Sequence, residues 1–309
     1  MNYKIYKLKF TGAVHFGAGT LEDGEYVFYA DTLFSALCQE ALKKSTDCMD
    51  ELVRYVKDGS LLLSDAFPYI GEIYCLPKPM KRVESKDNQG NSIIKKAFKK
   101  LKYIPMEKLE DYLKGEYDVL NGIDMRCLGK FEMKVSASIR GEAETKPYRV
   151  GTYYFNEECG LYFIAGYEND NAWELLRDLM ERLSFSGIGG KRSAGMGRFE
   201  CHYEALSEKI LKRLGNKGDT YMTMSVSLPK EDEMEEVISD ADYLLCRRSG
   251  FVASENYAEE MMRKKDLYVL KSGSCVHKKY DGDIYDVSDH KGRHEVYRYA
   301  KPLFMEVDA

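Results

Sequence analysis

The chain has 309 residues, 44% of them hydrophobic and 31% charged, with a formal net charge of −5. That composition can bury a core, and no apolar run approaches the roughly 20 residues of a membrane helix, so a membrane role is not expected. The net negative charge argues against a surface uniformly coated by nucleic acid but leaves room for a local basic groove.

The length fits one large domain or two ordinary ones. The start, MNYKIYKLKFTGAVHFG, alternates lysine with apolar residues and is unlike a signal peptide, so a cytoplasmic protein is expected. Eight cysteines are scattered without a CxxC pair, which reads as free, buried or half-buried thiols and not as a zinc site or disulfide framework. His290 and His294 stand four apart, but Gly292 weakens a helix between them and no third ligand is in sight, so no metal and no cofactor are expected.

In chain order, Tyr3–Phe10 alternates strictly and reads as a half-buried strand. A loop follows containing Val14-His15-Phe16-Gly17-Ala18-Gly19. Next comes a helix over ADTLFSALCQEALKK, with Asp31 and Thr32 as candidate caps and Leu33, Ala36, Leu37, Ala41 and Leu42 at helical spacing. Leu61–Pro68 and Ile73–Leu76 read as a hairpin. From Pro77 to Gly129 lysines and turn residues mix with short amphipathic helices, the pattern of an insertion that projects from the core. Lys81–Arg149 carries sixteen Lys or Arg against eleven Asp or Glu. Strands then follow at Met133–Ile139, GTYYF and GLYFIAGY. A helix spans Asn171–Leu183, with Ala172, Leu176, Leu179, Met180 and Leu183 on one face. A glycine loop and the strand GRFECHYE complete the unit.

This order is the ferredoxin-like split βαβ. After the charged segment EALSEKILKRLGNKGD a second unit opens on the alternating TYMTMSVSLP and closes with strands near DLYVLKSGSCV and HEVYRYAKPLFMEV. The expected fold is α+β: two ferredoxin-like (RRM-like) domains in tandem. The first spans residues 1–205, with a lysine-rich insertion at about 78–130 and the glycine loop before its last strand; the second spans 216–309. Within the second, Lys230–Glu260 holds ten acids against three bases, and Arg247 and Arg248 interrupt it, facing either RNA or a protein carboxylate. The acidic run itself reads as a partner surface or a solvated helix.

The loop SFSGIGGKRSAGMGRFE (Ser184–Glu200) is the most distinctive stretch. Gly187, Gly189, Gly190, Gly195 and Gly197 surround Lys191 and Arg192, with Arg198 just beyond. It runs helix–glycines–strand, the reverse of a Rossmann or P-loop turn, so mononucleotide chemistry is disfavoured. What remains is backbone that can approach an anion closely, two cations, and an arginine fork suited to phosphate. Two other stretches favour nucleic acid. The first glycine loop flanks the same helical layer as the second. In KVSASIRGEAETKPYR, Lys134, Ser136 and Ser138 alternate on one strand face before Arg140, a face able to follow a sugar-phosphate backbone as readily as to stand solvated.

VHFGAG, ADTLFSALCQEAL and FSGIGGKRSAGMGRFE, in that order and spacing, resemble the RAMP superfamily of CRISPR proteins and, more narrowly, the fourth-subunit family of the Csm (type III-A) effector complex. The resemblance covers the whole chain, and its specific motifs lie in the first half. It implies a paired ferredoxin-like fold and a non-catalytic place at the foot of the complex, holding the repeat-derived 5′ handle of the crRNA. The implied neighbours are the large polymerase/cyclase-like subunit on one side and the repeating backbone RAMP subunit on the other, for antiviral defence. By the same resemblance Gly187–Gly197 cradles handle phosphates, with Lys191 and Arg192 neutralising them, and the insertion Lys81–Lys130 lies as a thumb against the guide.

The candidate RNA contacts are therefore His15, Gly17 and Gly19 of the first loop, and Thr32 and Ser35 of the helix, where Phe34 replaces the family's basic residue. Lys134, Ser136, Ser138 and Arg140 of the strand follow, then Gly187, Ile188, Gly189, Gly190, Lys191, Arg192, Ser193 and Arg198. Tyr153, Tyr154 and Phe155 are candidates for base stacking or for the core. Some relatives are metal-independent endoribonucleases that process precursor crRNA through a loop histidine. His15 as general acid or base makes that alternative concrete, although the sequence places no second catalytic group beside it. A small-molecule enzyme is a third class, but no cofactor box or nucleophile constellation supports it.

Overall fold

The computed structural model describes residues 1–83, 92–138, 146–254 and 256–309. Strand β1 (Asn2–Phe10) is its axis. Alternation sends Tyr6 and Leu8 to one face and Ile5 to the other, and each face has its own core. A short ladder of β2 (Phe16–Gly17) and β3 (Gly24–Glu25) precedes α1 (Ala30–Lys44), α2 (Thr46–Lys57), β4 (Leu61–Leu63), β5 (Phe67–Ile70) and β6 (Ile73–Pro77). Then come α3 (Ser92–Lys100), β7 (Tyr103–Pro105), α4 (Leu109–Leu113), the hairpin of β8 (Gly129–Ser138) with β9 (Lys146–Phe155), β10 (Cys159–Tyr167), α5 (Asp170–Ser186) and β11 (Phe199–Ala205). The central sheet runs β11-β1-β10-β5-β6-β7, antiparallel throughout, with β4 also on β10. The strands β11-β1-β10-β5 give the last-first-third-second order of a split βαβ unit.

Helices α1, α2 and α5 cover the face bearing Tyr6, Leu8, Leu161 and Phe163. Helix α2 is an addition to the expected elements. Ser45 accepts from the Cys48 amide at its N-terminus, and Leu52, Val53, Tyr55 and Val56 are buried. The α1 cap differs from expectation: Asp31 and Thr32 lie inside the helix and Tyr29 is the N-cap without a side-chain bond. The orphan amide of Ala30 is taken instead by Asp65 Oδ1 at 2.8 Å. Asp65 lies in the break between β4 and β5, which is why Leu61–Pro68 is two strands and not one.

The insertion needs the largest correction. Instead of projecting, its second part extends the sheet: β7 pairs with β6, and Ile104, Met106, Leu109, Tyr112, Leu113 and Tyr117 bury against the second face of β1 and β10. The reason is that face itself. Ile5, Tyr162 and Ile164 need a cover, and each aliphatic side chain fully removed from water contributes about 1.5–3 kcal/mol. Helix α3, with no buried residue, keeps the expected lysine-covered surface.

Past α6 (Glu208–Gly215), whose Ile210 and Leu214 are buried, the second half holds β12 (Tyr221–Thr223), α7 (Met234–Ile238), β13 (Leu245–Arg248), β14 (Leu267–Leu270), β15 (Cys275–Val276), β16 (Asp283–Asp286), β17 (Tyr297–Ala300) and β18 (Phe304–Glu306). They form small sheets, β15-β12-β18, β13-β14 and β16-β17. Val226, Val269, Ile284, Tyr299 and Ala300 join the first half's helical core. Tyr299 Oη accepts from the Leu63 amide at 2.9 Å and lies 3.2 Å from the Leu63 carbonyl. The eight cysteines are free; five are buried and two half-buried, while Cys127, against expectation, is exposed. No helix is long and apolar enough to cross a membrane among the described residues.

Candidate nucleic-acid interface

The glycine loop is a braced turn. The Ile188 amide donates to the Gly197 carbonyl at 2.9 Å, the Gly190 amide to the His15 carbonyl at 2.8 Å, and the Gly197 amide to the Ala13 carbonyl at 2.9 Å, so the two glycine loops are stitched together. Gly197, at φ +78°, must be glycine, because an added Cβ would stand 2.0 Å from the Ile188 carbonyl oxygen. Ile188 and Met196 point inward and are buried. The Ile188 side chain anchors the loop to the core, while the residue also lines the cleft described below. The Gly187 amide is committed to the Leu183 carbonyl. Among the described residues, the amides of Gly189, Lys191, Arg192 and Ser193 have no hydrogen-bond acceptor. Lys191 is in the left-handed region at φ 57°, and unpaired main-chain N–H groups beside such a residue are the kind of donor that an anion can use.

The two cations are held in place. Lys191 lies 4.5 Å from the Tyr148 ring centroid, and Arg192 Nη2 donates to Gln39 Oε1 at 2.5 Å. Tyr148 is cross-strand from Ser136, and Lys134 is two residues along on the same face, so this face of the β8–β9 hairpin looks toward Lys191. The opposite face exposes Phe131, Met133 and Val135. Ser138 is the last residue of β8, and Arg140 lies outside the described residues.

Beside the loop opens a cleft of about 430 Å³. Its first-half wall is His15, Gly17, Thr32, Ser35, Gln39, Gly189, Gly190 and Arg192; the other wall is Arg248–Phe251, Lys264, Tyr297 and Arg298 of the second half. An ionic clamp joins the walls. Asp31 accepts from Arg248 Nε at 3.0 Å and Nη2 at 2.9 Å, and from Arg298 Nη1 at 2.6 Å. Burial works against the Asp31 charge, yet the Arg248 and Arg298 guanidiniums outweigh it and hold its carboxyl below the usual carboxylate range. Arg248 also donates to Thr32 Oγ1 at 3.2 Å. Of the two partners left open for Arg248, RNA or a carboxylate, the structure supplies the carboxylate. Arg247 stands exposed, 3.8 Å from Asp266.

The remaining candidates divide. His15 lines the cleft but is buried, with Nδ1 2.7 Å from the Gly151 carbonyl. Gly19 and Arg198 are exposed but lie off the cleft; the Arg198 carbonyl instead accepts from Thr11. Tyr153 is a core residue against Phe131 and Phe155, and Phe155 stacks on Phe10. Sequence reasoning missed the second wall, since Ser249, Gly250, Phe251 and Lys264 carry no motif. A second cleft of about 900 Å³ lies across the Glu25–Tyr29 segment, lined by Lys78, Lys102, Tyr103 and Asp65 among others. Burial pushes the Asp65 carboxyl up to about 6 even though the Ala30 and Val226 amides donate to it.

A split βαβ sheet with a glycine loop between its last helix and last strand, set against a second α+β half, defines a class. Residues 7–200 match the RAMP superfamily, and the chain belongs to it. Residues 216–307 match the CRISPR Csm4 C-terminal domain. The chain is 35% identical to the CRISPR system Cms protein Csm4 of Streptococcus thermophilus, covering 100% of both chains. It is likewise 35% identical to the protein of that name from Mycobacterium tuberculosis (strain CDC 1551 / Oshkosh), over 99% of this chain and 98% of the relative. Within the superfamily it is thus a member of the Csm4 family. Among solved structures, the fold is similar to a chain of a Csm3–Csm4 subcomplex in the type III-A CRISPR-Cas interference complex, at TM-score 0.69 and 18% identity with full coverage of both. A chain of a Csm1–Csm4 cassette in complex with cA4 follows at TM-score 0.63 and 19% identity, covering 99% and 98%.

Proposed function

We propose that this chain is the RNA-gripping, non-catalytic subunit of a cytoplasmic type III-A effector complex. It holds the 5′ handle of the crRNA, docks the large polymerase/cyclase-like subunit, and adjoins the repeating backbone subunit. The observation that carries this reading is the set of unpaired amides at Gly189 and Lys191–Ser193, beside the Lys191 and Arg192 side chains, in a loop whose Gly189, Gly190 and Arg192 line a cleft of a Csm4-family chain. Preorganised N–H groups and an arginine fork suit phosphate oxygens, and such contacts position a strand without reading its sequence.

The division into residues 1–205 and 216–309 as two ferredoxin-like domains is part of the same proposal. It is supported by the strand order of the first half, and the second half is read as a reduced counterpart built on β15-β12-β18. Holding is favoured over cutting because, among the described residues, no second acid–base side chain is bonded to His15, whose Nδ1 is committed to the Gly151 carbonyl.

The test is fluorescence anisotropy of the full chain with handle-bearing single-stranded RNA across a salt series, with gel analysis of the RNA afterwards. The reading expects uncut RNA and a log–log slope that flattens by about 1.4 when Lys191 and Arg192 are both replaced by alanine, two single-strand phosphate contacts being lost. Clean scission that disappears in His15→Ala would establish a processing nuclease instead.

A further inference from the structure

The second wall of the cleft carries one exposed ring. Phe251 is 51% exposed and lines the same cleft as Gly189, Gly190 and Arg192 of the glycine loop. A lone exposed phenylalanine is ordinary on a protein surface. This one is unusual because the chain on both sides of it is pinned. Arg248 is clamped to Asp31, Arg298 Nη2 donates to the Ser249 carbonyl at 3.3 Å, and the Lys264 amide donates to the Gly250 carbonyl at 2.8 Å. On the far side the Val252 amide donates to the Met262 carbonyl at 2.9 Å. The Arg263 guanidinium lies 5.3 Å from the ring centroid, so the ring is backed by a cation. Apolar area is thus held in water, beside a seat for phosphate, by a loop whose main chain is fixed.

We propose that Phe251, backed by Arg263, is a stacking platform for one nucleobase of the single-stranded RNA whose backbone rests on Gly189–Ser193. This rests on the reading of the glycine loop as a phosphate seat and adds the base-facing wall to it. A nucleotide presents an anionic phosphate and a flat π-face, and the two walls offer one partner for each. Stacking accepts any base, so the platform contributes affinity and register without a sequence code. Asp31 is then a positioning residue, because its clamp on Arg248 and Arg298 fixes the segment that presents the ring.

The experiment uses the full chain and short single-stranded RNAs carrying 2-aminopurine at successive positions, read by fluorescence quenching and by affinity at several salt concentrations. Intact protein is expected to quench strongly at one position. Phe251→Ala should abolish that quench and weaken binding about tenfold, leaving the salt slope and the melting temperature unchanged. Phe251→Trp should restore both. If Phe251→Ala retains quench and affinity while the Lys191→Ala, Arg192→Ala pair loses binding, the platform is wrong and the phosphate seat stands. If Phe251→Ala weakens binding with no position-specific quench in the parent, stacking is likewise refuted. If neither variant alters binding, the phosphate seat fails as well.

Discussion

Both Gly187–Gly197 and the insertion at 78–130 set lysine or arginine among chain-breaking residues, and both are expected from sequence to touch RNA. They put that composition to different uses. In the loop, most amides are spent on bracing, two apolar side chains are buried, and four amides are left without an acceptor among the described residues, beside fixed cations. In the insertion the apolar residues Ile104, Leu109 and Tyr112 complete the core, while Lys95, Lys96, Lys99 and Lys100 stand exposed on α3, with no ion pair among the described residues. Basic charge therefore means less than whether the backbone holds it. A fixed cation beside free amides has already met its ordering cost; an exposed lysine has not.

Four variants rank the two regions. Gly197→Ala should have the largest effect, since it places a Cβ against the Ile188 carbonyl at positive φ. Left-handed strain of about 1–3 kcal/mol adds to the clash, and both thermal stability and RNA binding should fall. Ile104→Ala, at a fully buried position, should cost about 2–5 kcal/mol in denaturant unfolding while the folded protein binds RNA as before. A matching loss of affinity in the folded state would return the insertion to the RNA surface. The Lys191→Ala, Arg192→Ala pair should weaken binding ten- to a hundredfold in anisotropy with no change in melting temperature, about 1.4–2.7 kcal/mol. Smallest is the Lys95→Ala, Lys96→Ala, Lys99→Ala triple, expected to stay within about twofold at physiological salt, where exposed charges are screened beyond about 8 Å. A tenfold loss there would overturn the contrast.

What the sequence made legible follows from range. β1, α1, α5 and the glycine loop carry local signals, a period of two or of 3.6 and glycines at positive φ, and they can be found from their own residues. The first half's strand order follows from that element order. Three features are long-range and were not legible. Asp31 has the look of a helix cap, but its partners Arg248 and Arg298 lie more than 200 residues away. The insertion's apolar residues are spaced among lysines, and only the uncovered second face of β1 and β10 explains their burial. Phe251 sits in a stretch without periodicity, and its place in the cleft depends on the way the second half docks. The burial of the Ile188 side chain was not legible either, because a motif reading assigns every loop residue to the ligand and gives none of them the work of anchoring the loop.

On the proposed function, RNA runs over the braced loop and not along the lysine helix. Photo-crosslinking of 4-thiouridine-bearing handle RNA to the full chain, with the attached peptides read by mass spectrometry, tests it most directly. Adducts are expected within residues 187–198 and at the 249–253 segment that shares their cleft. Adducts confined to residues 92–114, with none in the loop, would contradict it.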